Sequence, residues 1–186
     1  MGQIRQPRPV KLIVSMFTGD RTLLGLARSA LDSRFGRIDY ESELLPFDHT
    51  SYYEPEFGAG LLRQVVAFAE LIDPGRLADV KRTTNDMEMA QAVGGRRRVN
   101  LDPGYVSLSK MVLATTKDYS HRVYIGRGIH AEVTLHYRKG AFCPWPWTYP
   151  DYASAPYLAI FAKIRELYVM QLCELGERVL PDGQPW

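Results

Sequence analysis

The chain has 186 residues, 46% hydrophobic and 24% charged, with a net charge of +2. That length buries one sizeable core, so a single domain over residues 10–176 is the default. No run of about 18 apolar residues is present, which excludes a transmembrane helix. Cys143 and Cys173 are too few for a disulfide framework or a four-cysteine zinc site, so a reduced, cytoplasmic protein is expected. Residues 1–9 (MGQIRQPRP) lack the apolar stretch of a signal peptide and read as a disordered lead-in, and residues 177–186 as a flexible tail.

In chain order, Val10 to Phe17 is almost continuously apolar and suits a buried central strand. Thr18-Gly19-Asp20 supplies a turn and an N-cap. Leu23, Leu24, Ala27, Leu31 and Phe35 then recur at helical spacing, and Gly36 ends that helix. Ile38 to Leu44 alternates as a half-exposed strand. An aromatic loop, Phe47 to Gly60, leads to Leu61 to Leu71, a strand or a helix. Asp73-Pro74 opens a helix with Leu77, Val80, Thr84 and Met87 inward, stopped by Gly94-Gly95. Arg98 to Leu101 completes a β-α-β-β-α-β order, that of a ferredoxin-like α+β core.

Asp102-Pro103-Gly104 has the composition of a type II turn. Leu108 to Ala114 is a short helix or strand. Beyond it, Val123 to Ile125 and Ile129 to Tyr137 form an antiparallel hairpin. A three-residue loop, Gly126-Arg127-Gly128, keeps the two apolar phases together, with Ile125 opposite Ile129 and Val123 opposite Ala131. A two-residue loop breaks that match. This register sets Arg122 opposite Glu132 and Tyr124 opposite His130. A proline-aromatic connection, Phe142 to Tyr152, precedes a final helix with Tyr157, Ile160, Phe161, Ile164, Leu167 and Tyr168 on one stripe. It starts near Ser154 and Pro156 and ends near Gly176.

Charge is concentrated between Gly95 and Gly140, where nine Lys/Arg face three acids, +6 against −4 for the rest. Such asymmetry points to an anionic partner. Lys117, His121 and Arg122 fall within six residues and suit a phosphate or carboxylate; a solvated loop with a weak cross-strand pair is the alternative. Glu132 anchors Arg122 or acts as a general base, with His121 beside it. His130, Glu132 and His136 share a strand face, but spacing by twos is automatic on any hairpin and assigns no metal site. Lys81, Asn85 and Glu88 form one helical stripe, either solvated or facing the same cleft as Asn100 and Asp102. Arg96-Arg97-Arg98 suits a phosphate backbone or a soluble strand edge. Tyr52, Tyr53, Trp145 and Trp147 stack on bases or cover a core. GxxxxGK[ST], GxGxxG after a strand, HExxH, GxSxG and CxxC are all missing.

The phrases VKLIVSMFTG, FDHTSYYEPEFG, ELIDP, KRTTNDME, RRVNLDPGYVSLSKMVLATTKDYSHRVYIGRGIHAEVTL and TYPDY run in that order from Val10 to Tyr152. They resemble the bacterial and archaeal domain of unknown function 4416 family, some members of which carry the label GTP-binding protein. The resemblance implies polar positions at Asp48, Tyr53, Lys81, Asn85, Glu88, Asn100, Asp102, Lys117, His121, Arg122, Glu132 and Asp151. The family pattern carries Tyr where this chain has His130, which turns weight toward Glu132 and Arg122.

The expectation is thus a ferredoxin-like core extended by a hairpin and a C-terminal helix. It binds a small phosphorylated ligand such as a nucleotide, GTP being a weak candidate, and whether it turns that ligand over is open. Lys117, His121 and Arg122 hold the anion. Asn100 and Asp102 meet a sugar or a divalent cation accompanying the nucleotide. An RNA-binding module and a protein-interaction subunit, self-associating or with a partner protein, are the alternatives.

Overall fold

A computed structural model describes residues 3–48, 52–177 and 179. Among these residues the fold is α+β: a nine-stranded sheet of antiparallel neighbours and four α-helices. β1 (Val10–Thr18) is buried along its whole length, because helices cover both sheet faces. Leu12, Val14 and Met16 point to α1 (Arg21–Phe35) and α3 (Leu77–Ala90), while Ile13 points to α4 (Ala155–Glu174). That two-sided burial is why its sequence does not alternate. Asp20 caps α1, its carboxylate accepting from the Thr22 and Leu23 amides.

The second expected strand is divided into β2 (Ile38–Glu41) and β3 (Leu45–Pro46), both paired with β4 (Leu62–Ile72). A short helix, α2 (Glu54–Phe57), interrupts the expected loop. Asp73-Pro74 opens a 3-10 turn ahead of α3. That helix ends at Ala90, four residues before Gly94-Gly95, which instead carry a tight turn closed by a Val93–Arg96 bridge.

Three expectations are overturned between residues 98 and 134. First, the fourth strand is β5 (Asn100–Val106), and Asp102-Pro103-Gly104 lies inside it, not in a turn. β5 pairs with β1 from Asn100 to Val106, but with β6 (Lys110–Thr115) only from Gly104 onward. β6 meanwhile continues along β8 (Ile129–Arg138) through Thr115. The sheet therefore splits ahead of Gly104, where Pro103 has no N–H to leave unpaired.

Second, Arg127 and Gly128, with φ of 56° and 77°, form a two-residue hairpin loop between β7 (Val123–Gly126) and β8. Gly126, not Ile125, opposes Ile129. A bulge absorbs Ile125, which restores the expected Val123–Ala131 and Tyr124–His130 pairs. Third, a bulge between β6 and β8 flips the burial phase, so Glu132 and Thr134 are buried while Val133 is exposed.

β9 (Ala141–Pro144) covers the far half of β8's outer edge. Between β7 and β9, Trp147 Nε1 and Thr148 Oγ1 donate to the Val133 and Thr134 carbonyls, at 3.1 and 2.6 Å. The strand order ends -β8-β7 on this side and begins β2-β4-β1-β5 on the other. Among the described residues no helix is long and apolar enough to cross a membrane. Residues 3–9 have no regular structure, and Pro9 accepts a hydrogen bond from the Tyr168 hydroxyl. The expected tail falls outside the described residues, except at 177 and 179.

Candidate functional site

A cleft of about 830 Å³ opens where β5 and β6 part. Beyond the split, Leu101 turns its amide and carbonyl away from β1, toward a strand that is no longer there. Two side chains of α3 take their place. Glu88 Oε1 accepts from the Leu101 amide at 2.6 Å, and Lys81 Nζ donates to the Leu101 carbonyl at 2.9 Å. Lys81 and Glu88 are 5% and 2% exposed, so this stripe is no solvated helix face. A buried main-chain group without a partner costs about 1–3 kcal/mol, and these contacts remove that cost at both ends of one residue.

Most polar groups of the lining are held in this way. Lys81 also reaches Asp102 Oδ1 at 3.3 Å, and Asn100 Nδ2 donates to Asp102 Oδ2 at 2.7 Å. Arg97 forks onto both Glu56 oxygens, at 2.7 and 2.8 Å, and donates to Glu88 and Asn100. The Glu56 bonds come first among the causes that hold its guanidinium above its ordinary pKa. Arg63, from β4, is buried against Asp151 with its guanidinium 3.8 Å from the Phe47 ring centre.

The 117–122 loop forms the opposite wall. Arg122 donates from Nε to Glu132 Oε2 at 3.0 Å, from Nη1 to the Lys117 carbonyl and from Nη2 to the Tyr149 hydroxyl. Its side chain is only 3% exposed. Arg122 therefore fixes the loop that carries Lys117. Glu132 Oε2 also lies 3.1 Å from His121 Nε2, and Oε1 accepts from Thr134. His121 is stacked on Trp147 and is not part of the cleft lining. Lys117 stands at the mouth, 4.7 Å over the Tyr52 ring, with no carboxylate partner among the described residues.

Ten of the twelve polar positions implied by resemblance line this cleft; Asp48 and His121 do not. The basic segment is scattered by comparison. Of its nine cations only Arg97, Lys117 and Arg122 line the cleft. In the Arg96–Arg98 run Arg97 pairs with Glu56 and Arg98 with Asp20, and farther along Arg127 pairs with Asp79. Among the described residues five cations and five carboxylates line the cleft, which makes that lining formally neutral. His130 faces Tyr124 and Asp118, and His136 lies against Trp145. Among the described residues no group of three or more His, Cys, Asp or Glu could hold a metal ion.

Sequence reasoning passed over Arg63. Its signal was a lone basic residue in phase with buried Val65 and Ala67 on a mostly apolar strand. No curated protein and no solved structure matches the chain. A family model does, described as Domain of unknown function (DUF4416), over residues 8–168, and the chain belongs to that family.

Proposed function

We propose that the cleft binds a small phosphorylated ligand such as a nucleotide, with its phosphate at Lys117. The observation that carries this reading is Lys117, without a carboxylate partner among the described residues, at the mouth of a cleft whose other lining cations each meet a carboxylate. Exposed rings of Tyr52, Tyr119 and Tyr149 surround that mouth, with Lys117 over the first and Arg122 over the second. Arg122 acts by positioning the Lys117 loop, with Glu132 as its anchor. The strand order β2-β4-β1-β5, with α1 and α3 as crossovers, supports a ferredoxin-like half-sheet to which β6–β9 are added.

A thermal-shift screen of nucleotides, sugar phosphates and divalent metals tests the reading. A ligand at ~100 times its Kd adds about 2.7 kcal/mol of stability. Lys117→Ala should weaken a phosphorylated hit about tenfold or more, the scale of one hydrogen bond to a charged group. Unchanged affinity in Lys117→Ala would remove the phosphate from this position. A docking role is the second reading, favoured by Val123 and Tyr124 standing 69% and 61% exposed on the edge strand β7. It predicts self-association on a sizing column.

A further inference from the structure

The groups deeper in the cleft differ in kind from Lys117. Lys81, Glu88, Arg97 and Asn100 are tied to each other or to the main chain of β5. Two half-buried hydrogen-bonding side chains of the lining, the Asn85 amide and the Tyr53 hydroxyl, have no hydrogen-bond partner among the described residues. Asn85 lies on α3 between Lys81 and Glu88, so it shares their stripe without sharing their task. Its amide offers two donors and an acceptor, and the tyrosine hydroxyl offers one donor and an acceptor. Burial first, then the nearby Asp102 charge, pushes the Tyr53 hydroxyl up to about 12, so it keeps its proton.

A phosphate placed here would face Asp102 and Glu88, and the cations beside them, Lys81 and Arg97, are already paired with those carboxylates. An uncharged group with its own donors and acceptors would not be repelled. We infer that the inner cleft takes the uncharged, hydrogen-bonding part of the ligand, a nucleobase or a sugar, against Asn85 and Tyr53, with the phosphate outward at Lys117. This rests on the phosphorylated-ligand reading and adds an orientation and a specificity-determining pair to it.

Isothermal titration of wild type, Asn85→Ala, Tyr53→Phe and Lys117→Ala separates the two claims. The probes are GTP, ATP, their parent nucleosides, ribose 5-phosphate and tripolyphosphate, and unchanged melting of each variant verifies its fold. Asn85→Ala should weaken a nucleotide and its nucleoside by the same factor, about fivefold, and leave tripolyphosphate unchanged. Lys117→Ala should weaken only the phosphorylated probes. A loss of ribose 5-phosphate binding in Asn85→Ala assigns the inner cleft to the sugar; a loss confined to nucleosides and nucleotides assigns it to the base. If wild type binds a nucleotide and neither Asn85→Ala nor Tyr53→Phe changes its affinity, the inner-cleft assignment falls and the phosphate reading stands. If nucleosides bind as well as nucleotides and Lys117→Ala changes nothing, the phosphate reading falls instead. Binding of none of the probes overturns both.

Discussion

At Glu88 burial and neighbouring charge oppose one another. Desolvation raises its carboxyl above the ordinary 4.5, while Lys81, the Leu101 amide and Arg97 pull it down. The folded protein therefore holds this proton more tightly than the unfolded chain does. Linkage gives the sign: the Glu88 contribution to stability falls as pH rises from the unfolded value through the raised folded one. Glu88→Gln removes that titration while leaving an oxygen for the Leu101 amide. Urea midpoints measured from about pH 4 to 8 should show wild type losing stability relative to Glu88→Gln as pH rises. A difference that stays flat with pH would mean that Glu88 is not held in this buried, desolvated state.

At the scale of elements, the decisive feature is one strand that leaves another. Gly104 is the last point of close approach between β5 and β6. A Cβ there would stand 2.2 Å from the Val112 carbonyl oxygen and 2.8 Å from Leu113 Cδ2. Gly104→Ala must push β6 away and should cost about 1–3 kcal/mol, the usual penalty for overpacking. A denaturant midpoint equal to wild type would show that the strands do not meet so closely. The same three residues show why this part of the chain misleads a reader. Asp102-Pro103-Gly104 has the composition of a turn, but the absence of β6 beside Pro103 and its close approach at Gly104 make both residues acceptable inside a strand paired with β1. By contrast α1, α3 and α4 carry their own hydrophobic periods and β1 a nearly continuous apolar run, and those elements were legible from sequence. The hairpin was legible in two of its pairs and not in its loop, because a bulge can restore a register that loop length seems to break. Most of the cleft's polar residues were also legible. Its neutrality was not, since local charge counts ignore acids such as Glu56 and Asp151 that return from distant parts of the chain.

Over the whole molecule, buried charges hold remote segments together. Lys11 on β1 donates to Asp39, to the Phe68 carbonyl and to Gln171 on α4, so one ammonium joins both ends of the chain. Arg63 and Asp151 make a similar tie, 88 residues apart, between β4 and the segment that leads into α4. Both side chains are 4% exposed, and the guanidinium sits among the rings of Phe17, Phe47 and Tyr152. Two opposing effects decide what the pair contributes. Burying the ions is costly, so the intact pair adds little net stability over an apolar replacement. Removing one partner strands the other charge in an apolar site, at about 3–5 kcal/mol. Arg63→Met and Asp151→Leu should therefore each destabilise by about that amount, while the double variant should lose far less than the two single losses combined. Chemical denaturation of all four proteins closes the cycle. Additive losses would mean that the two side chains act independently and that the pair does not fasten α4 to the sheet.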